Sequence, residues 1–226
     1  MRLALVVVAL HVLAWTPPAG AAPDFGAIAG VVRLTTKVRG NPIPTAAYSP
    51  RGVERHQPPS TAEIHNVVVY LKGVDYRGPL AVQTREIAQD HEAFTPRVLA
   101  VTRGSTVTFP NEDPFYHNVF SLSGSAPFDL GRYPRGQARG RTFAKAGLVK
   151  VYCHIHSQMS ASILVLDHPF FAMPADSGAF EIERVPPGRY AIVGWHERVG
   201  ERTAAVRVEP GVTTSIELSL PVDEAP

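Results

Sequence analysis

The chain has 226 residues, with Lys+Arg 22 against Asp+Glu 20, one Cys, 21 Pro and 18 Gly. That length allows one large domain or two small ones. A formal net charge of +2 argues against bulk nucleic-acid binding. One Cys cannot form a disulfide scaffold, and Pro and Gly at this density disfavour long helices.

Arg2 precedes an apolar stretch over residues 3–15, and Ala19-Gly20-Ala21 follows with small-x-small spacing. This reads as a secretory signal over residues 1–21, too short to span a bilayer comfortably, with a retained anchor as the alternative. The expected product is an exported, periplasmic chain beginning near Ala22, with no membrane anchor. Thiols outside the cytoplasm are normally oxidised, so Cys153 needs an explanation. It is an inert buried thiol, an inter-chain disulfide or a metal-bound thiolate.

Short alternating runs follow in chain order, the signature of an all-β protein. The first is Ile28, Gly30, Val32 and Leu34. Residues 35–62 are Pro-rich and without periodicity, which predicts a long exposed loop. Val67, Val69 and Leu71 resume the pattern, followed by Val98, residues 106–109 and residues 118–120. Val149, Val151 and Cys153 alternate next, then residues 163–166. The C-terminal part adds Phe180 and Ile182, Tyr190 and Ile192, Val206 and Val208, and Ile216, Leu218 and Leu220. No window keeps a convincing 3.6-residue period, so two packed β-sandwiches are the predicted architecture.

Gly178-Ala179-Phe180, followed by Pro186-Pro187-Gly188-Arg189-Tyr190, marks a strand, a tight turn and a second strand. This pattern resembles the transthyretin-like or carboxypeptidase-regulatory-like sandwich. The stretch 26–34 and the strand at Val67 to Gly73 resemble that family's opening strands. The resemblance covers two separated pieces and implies a discontinuous sandwich over 22–81 and 169–226. Residues 82–168 would then be an inserted domain.

The chemistry is concentrated in Cys153-His154-Ile155-His156-Ser157-Gln158-Met159, with His117 upstream before another strand. One thiolate, two imidazoles and a thioether are the donors of a mononuclear blue-copper site. A trigonal His₂Cys set with a weak axial Met suits both Cu(II) and Cu(I), so little moves when an electron arrives. The C-x₂-H-x₂-M spacing brings three donors around one point, and His117 supplies the fourth. Met159 is also explicable as core filling. His154 alternates with Cys153 and should point away from the metal. His65, His91, His168 and His196 lack ligand-like spacing and read as structural or surface residues. Glu112 and Asp113 read as part of a turn, too close in sequence for an acid/base pair.

These residues carry a second resemblance, to cupredoxins and in particular to amicyanin. Val101-Thr102-Arg103-Gly104-Ser105-Thr106-Val107-Thr108-Phe109-Pro110-Asn111 matches the lead-in of that fold. Pro114 to Val119 is similar to its Pro-His-Asn-Val element, with one more residue between Pro and His. Residues 143–153 match the strand that ends in the ligand Cys. The resemblance implies one copper ion per chain, cycling Cu(II)/Cu(I) and held by His117, Cys153, His156 and Met159. It also implies a supporting role for Asn118, whose side chain would tie the His strand to the Cys loop. Amicyanin-like loops carry Pro on both sides of the loop His, where this chain has Ile155 and Ser157. Each restores a backbone N–H, and one of them is expected to donate to the thiolate. The whole chain further resembles exported proteins called methylamine utilization protein or plastocyanin-like.

No nucleophile elbow, phosphate loop or second Cys for a binuclear centre appears, so an enzyme is not expected. The leading expectation is a periplasmic electron carrier that passes single electrons, with His156 as the exit, between redox proteins such as a cytochrome or dehydrogenase. A copper chaperone or store would use the same donors, and a red-type catalytic site would leave Met159 merely packed. A cell-surface binding module with a structural metal is the remaining alternative. Residues 130–166 carry Arg132, Arg135, Arg139 and Arg141 with no acid. These four are candidates for docking an acidic partner, with a rate that falls with salt.

Overall fold

The computed structural model describes residues 25–35 and 63–221. The expected signal, nearly all of the Pro-rich loop and residues 222–226 lie outside the described residues. The strands in chain order are β1 (Gly26–Leu34), β2 (Val67–Lys72), β3 (Thr84–Glu86), β4 (Ala88–Asp90), β5 (Ala93–Thr95) and β6 (Val98–Thr102). They continue with β7 (Thr106–Pro110), β8 (His117–Ser121), β9 (Phe128–Tyr133), β10 (Ala138–Thr142), β11 (Gly147–Tyr152) and β12 (Ser160–Leu166). The last are β13 (Phe171–Ala172), β14 (Ala179–Val185), β15 (Gly188–His196), β16 (Gly200–Val208) and β17 (Thr213–Leu220). A single 3-10 turn at Glu63–Asn66 is the helical element among the described residues. The chain is all-β, as expected.

The strands stack in layers. Sheet β14-β1-β17 packs on sheet β13-β2-β15-β16 to form an outer sandwich. Sheet β6-β12-β11-β8-β9 packs on sheet β10-β7-β3 to form the sandwich interposed in the sequence. A third apolar cluster joins the two: Val68, Tyr70, Val193 and Trp195 of the outer sandwich meet Val98, Ala100, Leu164 and Leu166.

Strands shared between two cores explain the sequence pattern. In β2, Val67, Val69 and Leu71 enter the outer core while Val68 and Tyr70 enter the junction. In β12, Ala161, Ile163 and Val165 enter the inner core while Leu164 and Leu166 enter the junction. Such strands read as unbroken apolar runs because neither face meets water. Strands with little or no buried face carry no such signal. β3 and β10 are exposed at every position and were not legible as strands. The parallel contact of β1 with β17 needs Gly30, where a Cβ would sit 2.1 Å from the Ile216 carbonyl oxygen.

Candidate metal centre

The site lies at one end of the inner sandwich, where three elements converge. His117 opens β8, Cys153 follows β11, and His156 and Met159 lie on the loop to β12. That loop is closed by backbone bonds from Cys153 N–H to the Met159 carbonyl (3.3 Å) and from Met159 N–H to the His156 carbonyl (3.0 Å). Cys153 Sγ is 3.8 Å from His117 Nδ1 and 4.0 Å from His156 Nδ1, and the two Nδ1 atoms are 3.1 Å apart. Donors bonded to one ion at ~2.0–2.3 Å and trigonal angles lie roughly 3.5–3.7 Å apart, so these three fit around a single metal. Met159 is 1% exposed and shares the core cluster of Cys153.

The thiol is prepared to bind metal. Burial alone would push it up, but the His117 ring and the backbone N–H groups of Asn118, His156 and Ile155 outweigh burial and hold it at about 6. Burial would lower the His117 imidazole, yet its bonds to Cys153 and Asp113 raise it. The two shifts favour the ionised form of each partner in the metal-free protein.

The two groups pull stability in opposite directions with pH. The depressed thiol contributes stability present above its unfolded value of 9.0 and lost as pH falls through about 6. The raised imidazole contributes stability present below its ordinary 6.5 and lost as pH rises through its folded value. The two slopes oppose each other across the neutral range. Metal-free protein is therefore expected to show thiolate absorbance in the ultraviolet with a midpoint near pH 6. A midpoint near 9.0, the ordinary thiol value, would contradict this.

Asp113 was not legible as a site residue. Its carboxylate lies 2.7 Å from His117 Nε2, which directs the proton of that ring away from the metal side and leaves Nδ1 as the donor atom. Asp113 itself is held by backbone N–H groups of His91 (2.8 Å) and Glu92 (2.9 Å), and its own N–H donates to Asn111 Oδ1. His91 and Glu92 form the β4–β5 turn with φ of 53° and 54°, a conformation disfavoured for non-Gly residues. The same turn reaches the donor loop, where Gln158 donates to Glu92 at 2.8 Å. Burial would raise the Asp113 carboxyl, but the Glu92, His117 and His91 contacts lower it. The signal for it in the sequence is a carboxylate four residues before the candidate ligand His117.

Another expectation is corrected. The Asn118 side chain does not tie the His strand to the Cys loop: its Nδ2 donates to Asp129 Oδ1 at 2.6 Å. The irregular register between β8 and β9 at Asn118/Phe120 brings Asp129 within reach, and Asn118 supports Cys153 through its backbone instead. Arg132, Arg135, Arg139 and Arg141 are all exposed, and two of them also lie over aromatic rings. The Arg139 guanidinium lies 5.0 Å from the centroid of the Tyr133 ring, and that of Arg141 lies 5.9 Å from the Phe128 ring. These two cover the core edge beside β10, whereas Arg132 lies opposite Asn118 near the site.

His154 is exposed and stacks on Phe120, with centroids 3.8 Å apart, rather than joining the cluster. His65 pairs with Asp176, and buried His196 with Glu63. His168 Nδ1 accepts the Phe170 N–H. Phe115 packs against both candidate ligand rings, 5.3 Å from His117 and 5.5 Å from His156, and is itself 39% exposed. Tyr116 and Ile155 are exposed beside it, so the site ends in an apolar surface.

No protein-family profile matches the chain, and no curated protein matches it. Similar solved structures include a Cu(I) mutant of amicyanin, at 25% identity over 36% of this chain and 80% of that one, with a TM-score of 0.34. A purple cupredoxin from Nitrosopumilus maritimus aligns at 22% identity over 36% of this chain and 98% of that one, with a TM-score of 0.33. A Cu-containing nitrite reductase from Thermus scotoductus SA-01 aligns at 29% identity and a TM-score of 0.35. That alignment covers 42% of this chain and 24% of the reductase.

Proposed function

We propose that this chain is an exported type 1 copper protein that passes single electrons between redox partners and catalyses no reaction of its own. The observation that carries this reading is the convergence of His117 Nδ1, His156 Nδ1 and Cys153 Sγ at 3.1–4.0 Å, with the thiol held at about 6. Copper bound there would supply a one-electron couple in a trigonal thiolate and imidazole field. Met159 is the proposed weak axial donor.

The residues of the chain do the remaining work. Asp113 orients His117, and the N–H groups of Asn118, Ile155 and His156 stabilise the thiolate in place. Phe115 shields both rings from water. His156, only partly buried, offers the route by which the electron leaves, across the apolar surface of Phe115, Tyr116 and Ile155. The proposed partner is a redox protein that meets this surface, with Arg132 and Arg135 at its margin. Among the described residues no helix is long and apolar enough to cross a membrane. The periplasmic location is proposed on the signal-like residues 1–21.

The test is an absorption and electron paramagnetic resonance spectrum of the oxidised, copper-loaded protein. An intense visible thiolate-to-copper band with narrow copper hyperfine splitting is the expected result. A pale, ordinary Cu(II) spectrum would overturn the reading and favour a store or chaperone.

A further inference from the structure

We infer that the outer sandwich belongs to the scaffold of the donor loop, and that Glu197 is the positioning residue through which it acts. Glu197 sits in the turn between β15 and β16, next to buried His196, with its side chain 8% exposed. A carboxylate so placed is costly unless donors compensate it. The donors all come from the other sandwich. Arg97 Nε pairs with one oxygen, while Lys150 Nζ (3.5 Å) and Ser162 Oγ (3.4 Å) reach the other. Lys150 Nζ also donates to Ser162 Oγ at 2.8 Å and lies 5.9 Å from the centroid of the Trp195 ring.

The position of these donors gives the contact its meaning. Lys150 and Ser162 are direct partners across β11 and β12, the strands that flank the loop carrying Cys153, His156 and Met159. Arg97 reaches the same strand, because its carbonyl accepts the Ser162 N–H at 2.8 Å. Glu197 therefore grips both legs of the hairpin three residues from Cys153 on one side and three from Met159 on the other. The aliphatic junction of Val193 with Leu164 and Leu166 is non-directional, so packing alone permits small slides. A buried carboxylate shared among Arg97, Lys150 and Ser162, with the two cations partly exposed, is directional and favours one register of the two sandwiches. On the copper reading above, on which only the metal consequence rests, this holds the donors in place through the redox cycle.

The test compares Glu197→Gln with the wild type in the full chain, first without metal. Amide hydrogen exchange of residues 153–159 is expected to speed up about tenfold or more, as loss of hydrogen bonds to a charged group implies. Amides of β8 and β9 should keep their wild-type rates. Copper-loaded Glu197→Gln is then expected to show a broadened thiolate band and a shifted midpoint potential. Unchanged loop exchange in a folded variant, or a rise spread evenly over the whole molecule, would overturn the inference. Should Glu197→Gln not fold, Lys150→Met cuts the same tie from the partly exposed side and is read in the same way. If wild-type protein with copper shows no thiolate band, the electron-carrier reading fails, while the metal-free exchange result still decides the role of Glu197.

Discussion

Replacing Cys153 with serine is expected to abolish the visible charge-transfer band completely. A hydroxyl stays protonated at neutral pH, so the anionic donor disappears and His117 loses one of the two partners that raise its imidazole. Copper retention should fall by more than the roughly 10–100-fold that loss of a supporting partner costs, because a ligand itself is gone. The fold should survive. Cys153 is buried in the inner core, but the Asn118, Ile155 and His156 N–H groups that face its sulfur can donate to a hydroxyl oxygen. Chelator competition and absorbance measure the loss, and circular dichroism checks the fold. A variant that kept its band would place the metal elsewhere.

Asp113→Asn is expected to raise the midpoint potential by about 60–120 mV. Asp113 increases the donor strength of His117 through the 2.7 Å contact at Nε2, which favours Cu(II) over Cu(I). Losing such a partner weakens binding about 10–100-fold, and if Cu(II) bears the loss each tenfold step is about 59 mV for one electron. The variant also has one acceptor oxygen where the wild type has two. Asp113 now receives three donors: the His91 and Glu92 N–H groups and the His117 ring. An amide NH₂ facing one of them is repelled, so exchange at the β4–β5 turn should quicken as well. Voltammetry and amide exchange measure the two effects. A potential that fell would show that the carboxylate does not act through His117.

Both experiments depend on features that differ in how far the linear chain discloses them. The donor loop was legible because C-x₂-H-x₂-M is a short-range pattern, and a strand end followed by a tight loop leaves its side chains little freedom. The doubly buried strands were legible for a related reason. Val67, Val69 and Leu71 show as alternation, while the apolar residues between them, like the run Ile163 to Leu166, reflect strands covered on both faces. Exposed β3 and β10 left no periodic trace because water covers them at every position.

The supporting residues were hidden because their partners are far away in the chain. Asp113 looked like turn chemistry until the β4–β5 turn delivered the His91 and Glu92 N–H groups to it. Asn118 went to Asp129 because of an irregularity between β8 and β9 that residue types do not announce. The rings that Arg139 and Arg141 lie over, Tyr133 and Phe128, are set by how β9 and β10 meet. Glu197 is separated from Arg97 by most of the inner sandwich and meets it only once the two sandwiches stack. An all-β chain and the candidate donor set are readable from residue order, since local spacing and strand periodicity suffice for both. What orients His117 and which groups meet Glu197 are legible only in the folded chain, since each depends on strand register and on packing between distant segments.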